Sequence, residues 1–316
     1  MNVLITGGSG YIGGRLALHL KEAGNFNIFL GSRTKNINSQ LLKDINYLEL
    51  NWENEQNLID ACSDKISIVH TAGLNAQDSK NSFLDAYKVN TLNTAKLLNI
   101  AIKKGVKRFV YISTAHVYGA QLSGKINEYS PANSIQAYAA SHKAAEDIVL
   151  NASKAGKIEG IVIRLSNSFG APISKDVNCW NLLVNDLCFQ GVTKKKLIIN
   201  SSGLQMRDFV SMTNVVSSLR HILGLPSNSL GNGIFNVGSG FSSSVLEVTN
   251  NIAEVFFNNF NYKTSIEKKI QIGESPIKEK FFVYDNTKLL ETGFIYEDNY
   301  ELEIINLIQF IMKNFD

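Results

Sequence analysis

Three glycines spaced three residues apart, in Thr6-Gly7-Gly8-Ser9-Gly10-Tyr11-Ile12-Gly13, lie between a β-branched run and a helical pattern. Gly7 permits a tight turn, Gly10 lets backbone N–H groups approach an anion, and Gly13 lets the helix lie close to the strand. With the positive end of the helix, those N–H groups suit a pyrophosphate, which is the chemistry of dinucleotide binding. Its place directly after a first strand and before a first helix is what makes the triplet informative. Tyr11 and Ile12, within that turn, are expected beside the bound group.

The end of the second strand should read the adenosine ribose, where an acid accepts from the 2′-hydroxyl of NAD. Gly31-Ser32-Arg33 has no acid there. Glycine leaves room, and Arg33 with Ser32 can hold a 2′-phosphate by charge-assisted hydrogen bonds. NADP(H) is therefore favoured, with NAD(H) as the alternative.

Other chemistry is sparse. Cys62, Cys179 and Cys188 fit no metal-ligand spacing, so no metal is expected and the thiols read as reduced. A net charge of +3 and a single short basic cluster, Lys194-Lys195-Lys196, argue against nucleic acid as a partner. Met1-Asn2-Val3-Leu4-Ile5 enters a strand at once, and no apolar run approaches the roughly 18 residues of a membrane helix. The expectation is a cytoplasmic protein with no membrane partner.

The elements that must position these groups alternate. Strands are expected at Val3-Leu4-Ile5, Asn27-Ile28-Phe29-Leu30, Tyr47-Leu48-Glu49-Leu50, Ser67-Ile68-Val69-His70, Arg108-Phe109-Val110-Tyr111-Ile112-Ser113 and Gly160-Ile161-Val162-Ile163-Arg164. Helical patterns cover 15–23, 56–62, 83–103 and 138–155. This alternation implies right-handed crossovers and a mostly parallel sheet covered on both faces, an α/β fold. Beyond about residue 170 the pattern loosens, with helices expected at 181–190, 245–257 and 300–313 and strands at Leu197-Ile198-Ile199 and Phe235-Asn236-Val237. The division expected is a dinucleotide-binding domain over 1–170 and a smaller α+β substrate lobe over 171–316, with segments from about 205 to 240 partly returning to the first domain.

Taken together, Thr6 to Gly13, Tyr111-Ile112-Ser113-Thr114-Ala115-His116-Val117-Tyr118-Gly119 and Tyr138 through Glu146 resemble the extended short-chain dehydrogenases/reductases acting on nucleotide-linked sugars. His70-Thr71-Ala72-Gly73, Val89-Asn90, Arg164 through Pro172, Gln205-Met206-Arg207-Asp208-Phe209-Val210 and Phe235-Asn236-Val237-Gly238-Ser239-Gly240 extend the resemblance over almost the whole chain. It implies a Rossmann-type doubly wound parallel sheet. It also implies that Thr71, Ala72, Gly73, Asn90, Ser113 and Leu165 line the cofactor. Asn51 replaces an aspartate that often meets the adenine in this family, and Trp52 can pack on that ring.

By the same resemblance Thr114 bonds the reacting sugar oxygen and Tyr138 is the general acid/base of hydride exchange at a sugar carbinol. A tyrosine titrates near 10, and the family assists it with a lysine four residues on. Tyr138-Ala139-Ala140-Ser141-His142-Lys143 departs from that pattern. On a helix the fourth residue lies roughly 40° from Tyr138 and the fifth roughly 140° away, which puts His142, not Lys143, at the cofactor ribose.

Dehydratases of this family carry an Asp-Glu pair after the catalytic Thr, where this chain has Ala115 and His116. The favoured reading is NADPH-dependent reduction of a nucleotide-activated 4-keto sugar. The alternatives are an NAD-dependent 4-epimerase and an NADP-binding protein with little turnover. Ala115, His116, Asn167 and Arg207 are expected at the nucleotide-diphosphate sugar, Arg207 near the diphosphate and Asn167 near the sugar–phosphate link. Around Gly273-Glu274-Ser275-Pro276 the family's pyrophosphate arginine is absent, with only Lys278 and Lys280 nearby. Relatives dimerise through the two long helices, here 83–103 and 138–155, so a homodimer is expected.

Overall fold

Val3, Leu4 and Ile5 have no exposed surface, as a strand covered on both faces requires. The computed structural model describes residues 1–33, 40–120, 122–269 and 281–315. In chain order the first half contains β1 (Asn2–Thr6), α1 (Tyr11–Ala23), β2 (Asn27–Ser32), β3 (Asn46–Glu49), α2 (Glu55–Cys62), β4 (Ser67–His70), α3 (Ala76–Asn81) and α4 (Phe83–Ala86). A π-helical segment, Tyr87–Leu92, then leads into α5 (Asn93–Lys103), β5 (Arg108–Thr114), β6 (Gly124–Ile126), α6 (Ala137–Lys154) and β7 (Glu159–Leu165). The second half adds β8 (Asn167–Phe169), α7 (Leu183–Lys194), β9 (Lys196–Ile199), β10 (Met206–Ser211), α8 (Met212–Gly224), β11 (Ile234–Val237) and β12 (Ser242–Ser244). It closes with α9 (Val245–Phe260), β13 (Ser265–Lys268), β14 (Phe282–Tyr284), α10 (Thr287–Glu291) and α11 (Tyr300–Phe315).

Seven strands form one parallel sheet in the order β11-β7-β5-β4-β1-β2-β3. Helices cover both faces. Leu16 and Leu20 of α1 share one apolar core with Val215, Leu219 and Ile222 of α8. On the opposite face Leu58 of α2, Leu97 of α5 and Val149 of α6 share another. The winding reverses between β1 and β4, which opens a crevice at their carboxyl ends, where ligands of such sheets bind.

The helix expected over 83–103 is present without a break, but its middle, Tyr87–Leu92, is wound as a π-helix. The extra residue in the π turn brings both Asn90 and Thr91 inward, where they are buried. There Asn90 Nδ2 donates to Ser141 Oγ at 3.0 Å and Thr91 Oγ1 to the Ser141 carbonyl at 2.7 Å, fastening this segment to α6.

A second unit packs α7, α9 and α11 around Leu187, Val248, Ile252, Leu307 and Ile308. Its short strands β8, β10 and β12 form a three-stranded sheet. Within 205–240, β10 belongs to that small sheet, whereas α8 packs on α1 and β11 becomes the edge strand of the large one.

Candidate active site

The glycine turn is built by close approach. Gly7 has φ +68°, and a Cβ there would lie 2.8 Å from the Ala72 nitrogen and from Thr71 Oγ1. A Cβ on Gly13 would lie 2.4 Å from the Gly7 carbonyl oxygen. Thr71 Oγ1 donates to the Thr6 carbonyl at 2.7 Å, so the loops after β1 and β4 are locked side by side. Gly10 caps α1 without a side-chain bond, leaving the N–H groups of the first turn for an anion. Tyr11 sends its hydroxyl to the Gly170 carbonyl at 2.8 Å, tying α1 to the segment after β8. This cradle fits the diphosphate of a dinucleotide: its floor is backbone, and side chains are sterically excluded.

At the end of β2 the expectation changes in detail. The space beside Gly31 is taken by the core, since a Cβ there would lie 2.4 Å from Leu50 Cδ1. The glycine is required by packing and opens no room for a phosphate. Ser32 is buried, with its Oγ 3.0 Å from Ser9 Oγ, while Arg33 is exposed at the mouth of the cleft.

A cleft of about 630 Å³ joins these parts to the carboxyl ends of β5 and β7. Gly10, Tyr11, Ile12, Arg33, Thr71 and Gly73 line one side, Ser113, Thr114, His116, Tyr138 and His142 the centre, and Leu165 and Asn167 the far wall. Several expected residues stand behind the walls. Asn90 is fully buried and braces the Gly73 loop by accepting the Leu74 N–H at 2.7 Å. Ala115 is also buried. Asn51 accepts the Glu53 N–H at 3.0 Å in a local turn, and Trp52 packs against the core with its ring 5.9 Å from that of His70. Neither Asn51 nor Trp52 lines the cleft, because their segment after β3 turns back toward α2 and α5. The Gly273-Glu274-Ser275-Pro276 stretch, with Lys278 and Lys280, lies outside the described residues.

Thr114 ends β5 and accepts the His116 N–H at 3.2 Å, which starts the short turn Ala115–Tyr118. Tyr138 stands in the first turn of α6. Burial raises its phenol above the ordinary 10, opposed by a hydrogen bond with Thr114. One turn on, the His142 ring centroid is 4.7 Å from that of Tyr138, and its Nδ1 is 2.7 Å from Tyr111 Oη. Burial, then His116, lowers His142 to about 3, so the imidazole is neutral. Lys143 points outward and pairs with Asp147 on the same helix. His116 is open to the cleft and is lowered by the crowding of its walls and by the Arg207 charge.

Behind this centre a buried ion pair joins α6 to β7, Arg164 NH2 to Glu146 Oε2 at 2.7 Å. Ser113 Oγ donates to Glu146 Oε1 at 2.6 Å, so that hydroxyl braces the pair although Ser113 lines the cleft. Arg164 also lies 4.6 Å over the Tyr118 ring. Asn167 Nδ2 donates to the Asp208 carbonyl at 2.9 Å, and the Asp208 carboxylate takes N–H bonds from Ser239 at 3.0 Å and Gly240 at 2.9 Å besides the Ser166 hydroxyl. Burial pushes Asp208 up to about 6. Sequence reasoning assigned no role to Asp208 or Tyr111, although both stand inside quoted motifs. Arg207 is half-buried, and among the described residues its guanidinium has no ion pair or hydrogen bond. Burial lowers its basicity; it does not itself line the cleft, but its charge reaches His116, which does.

No group of three or more His, Cys, Asp or Glu among the described residues could hold a metal ion, and Cys62, Cys179 and Cys188 are buried and free. No helix among the described residues is long and apolar enough to cross a membrane.

Residues 3–238 match the NAD dependent epimerase/dehydratase family. Among curated proteins, the dTDP-D-glucose 4,6-dehydratase of Dictyostelium discoideum is 31% identical over 282 residues, covering 80% of this chain but only 62% of that relative. The human dTDP-D-glucose 4,6-dehydratase is 27% identical and covers 99% of this chain and 90% of its own. The UDP-glucose 4-epimerase of Azospirillum brasilense is 26% identical, covering 80% and 77%. Among solved structures, the Thermotoga maritima UDP-glucose 4-epimerase with UDP-glucose superposes with a TM-score of 0.84 at 20% identity over 99% of each chain, a likeness of fold. The NAD dependent NDP-hexosamine 5,6-dehydratase TunA gives 0.76 at 26% identity, covering 99% of this chain and 98% of that one. The family match runs through the glycine turn, both walls of the cleft and the whole large sheet, and so this chain belongs to the NAD dependent epimerase/dehydratase family of extended short-chain dehydrogenases/reductases.

Proposed function

We propose that the chain is an NAD(P)-dependent oxidoreductase of a nucleotide-diphosphate sugar, and that its net reaction is 4-epimerisation. The observation that carries this reading is the meeting of Thr114 and Tyr138 in one cleft with the glycine turn, while Ala115 and His116 occupy the places where a dehydratase needs carboxylates. Bound nicotinamide would supply hydride acceptance and return. The glycine turn and the start of α1 hold the diphosphate of the dinucleotide. Thr114 and Tyr138 take the reacting sugar oxygen between them, and Tyr138 exchanges its proton. His142 offers an N–H beside them, and Ile12 and Leu165 supply apolar wall. Arg207 faces the substrate diphosphate and Asn167 the sugar–phosphate link, so the smaller unit serves as the substrate lobe.

The NADPH-dependent 4-keto reductase is kept as a second reading because Gly31-Ser32-Arg33 offers no acid to a ribose and places exposed Arg33 at the cleft mouth. Several relatives are named as NAD dependent or are solved with NAD, which supports the first reading. Purified protein should retain NAD and interconvert UDP-sugar epimers with no cofactor added. Consumption of added NADPH with a 4-keto sugar would transfer the assignment to the reductase, and a bound cofactor without turnover would leave a binding protein. Tyr138→Phe should lower turnover about 10²- to 10⁴-fold while cofactor retention persists. A homodimer in the cytoplasm belongs to the same reading, supported by apolar side chains exposed along α4 and the π segment and by the free cysteines.

A further inference from the structure

A row of buried hydrogen bonds runs inward from the cleft behind Tyr138. His142 Nδ1 is 2.7 Å from Tyr111 Oη, which is itself 3.5 Å from the Asn90 carbonyl. Thr94 Oγ1 donates to that carbonyl at 2.6 Å and lies 2.9 Å from His70 Nε2. His70 Nδ1 is 2.6 Å from Thr6 Oγ1.

Counting protons settles the roles. Thr94 has one hydroxyl proton, and it goes to Asn90, so Thr94 must accept from His70 Nε2–H. His70 Nδ1 is then bare and accepts from Thr6. At the outer end the Tyr111 hydroxyl meets His142 Nδ1 at 2.7 Å, the Asn90 carbonyl at 3.5 Å and the Thr94 hydroxyl, whose own proton is already placed on Asn90. At 2.7 Å the contact with Nδ1 has better hydrogen-bond geometry than the 3.5 Å contact with the carbonyl, and it takes the proton. His142 Nδ1 is therefore the acceptor, and the ring proton sits on Nε2, which has no protein partner among the described residues while the ring lines the cleft.

We propose that Tyr111 is a positioning residue: by donating to Nδ1 it fixes His142 as the neutral Nε2–H tautomer, an uncharged N–H donor held in the cleft beside Tyr138. The inference rests on the reading that this cleft holds a nicotinamide dinucleotide and that Tyr138 exchanges a proton there. The surroundings agree. Tyr138 and Glu146 face the ring region from α6, Tyr111 from β5, His70 from β4, and His116 from the turn after β5 with Arg207 of β10 behind it. No carboxylate touches the imidazole among the described residues, and burial holds both His142 and His70 at about 3. Tyr111 is pushed well above its ordinary value by burial, then by Glu146 and Tyr138, so it remains a proton donor.

The test is a long-range ¹H–¹⁵N spectrum of the full-length, ¹⁵N-labelled protein, with His142 assigned by the loss of its signals in His142→Gln. His142 and His70 should both show the neutral Nε2–H pattern, unchanged between pH 8 and pH 5. Tyr111→Phe should convert His142 to a tautomer mixture, leave His70 unchanged, and weaken binding of NAD or NADP about tenfold, the worth of one hydrogen bond. An imidazolium or an Nδ1–H pattern at His142 in the unmodified protein would overturn the proposal, as would an unchanged tautomer in a folded Tyr111→Phe. Should that variant fail to fold, the unmodified protein's pattern still decides. If the tautomer is as stated but neither dinucleotide binds, the functional reading fails and the Tyr111 assignment stands.

Discussion

The position one turn after Tyr138 is where this chain parts from the lysine pattern of its family, and the chemistry of an imidazole differs from that of an ammonium in charge. His142 is held neutral by burial, so it offers an N–H without electrostatic help to a Tyr138 phenolate. His142→Ala should reduce cofactor affinity or turnover about tenfold or more. Lys143→Ala should change either less than about twofold, because exposed helix pairs such as Lys143–Asp147 contribute little. Parallel binding and rate measurements decide the ranking, and the reverse order would remove His142 from the site. The sign of the pH dependence follows from Tyr138. Its phenol is raised by burial, so the form able to take a proton is scarce near neutrality and grows as pH climbs toward and beyond 10. Oxidation of the sugar carbinol should therefore accelerate into the alkaline range, and His142→Lys should move that rising limb to lower pH. A kcat profile that is flat from pH 7 to pH 10 would contradict this account.

β5, α6 and β7 hold the chemistry in place through one buried ion pair. Glu146 has no exposed side-chain surface and Arg164 only 4%, so their attraction is set against a large desolvation cost. Removing one partner leaves the other charge buried and alone. Glu146→Gln should cost about 3–5 kcal/mol in stability, read by denaturant unfolding, because Arg164 is left buried without a counter-charge. The π turn between α4 and α5 does comparable work on the other side of α6. It turns Asn90 inward to hold the loop that carries Gly73, so a structural asparagine in a distorted helix shapes the wall without lining it.

The two packed units are joined by polar links as well as apolar cores. Arg15 of α1 donates to the Ala171 carbonyl at 2.6 Å and pairs with Glu303 of α11 at 3.1 Å, and Glu303 also accepts from Thr213 Oγ1 at 2.5 Å. The carboxyl-terminal helix is thereby fastened to the start of the glycine-turn helix. The outer side of α4 and the π segment is less well covered, with Phe83 65%, Leu84 69% and Leu92 63% exposed. A self-complementary dimer would bury such side chains. Leu84→Glu combined with Leu92→Glu should yield monomers in light scattering at micromolar concentration with the fold intact by circular dichroism. Unmodified protein that is already monomeric there would dispose of the homodimer.

The alternation of short β-branched runs with amphipathic helices was enough to specify a parallel sheet, because strand and helix periods are local properties of the chain. The glycine spacing and the rotation that separates His142 from Lys143 were legible for the same reason, being matters of near neighbours and helix geometry, whereas Thr114 and Tyr138 were expected only from the family resemblance. Other features depended on residues far apart in sequence. Leu50 fills the space beside Gly31, β11 pairs with β7, and the Asp208 carboxylate meets the backbone of Ser239 and Gly240. Tyr111 and His142 likewise lie on different elements, and only their approach to 2.7 Å gives one imidazole nitrogen a proton donor and leaves the other for the cleft. Local pattern determined which side chains could do chemistry; long-range packing decided which are buried, which are braced, and in which protonation state they meet a ligand.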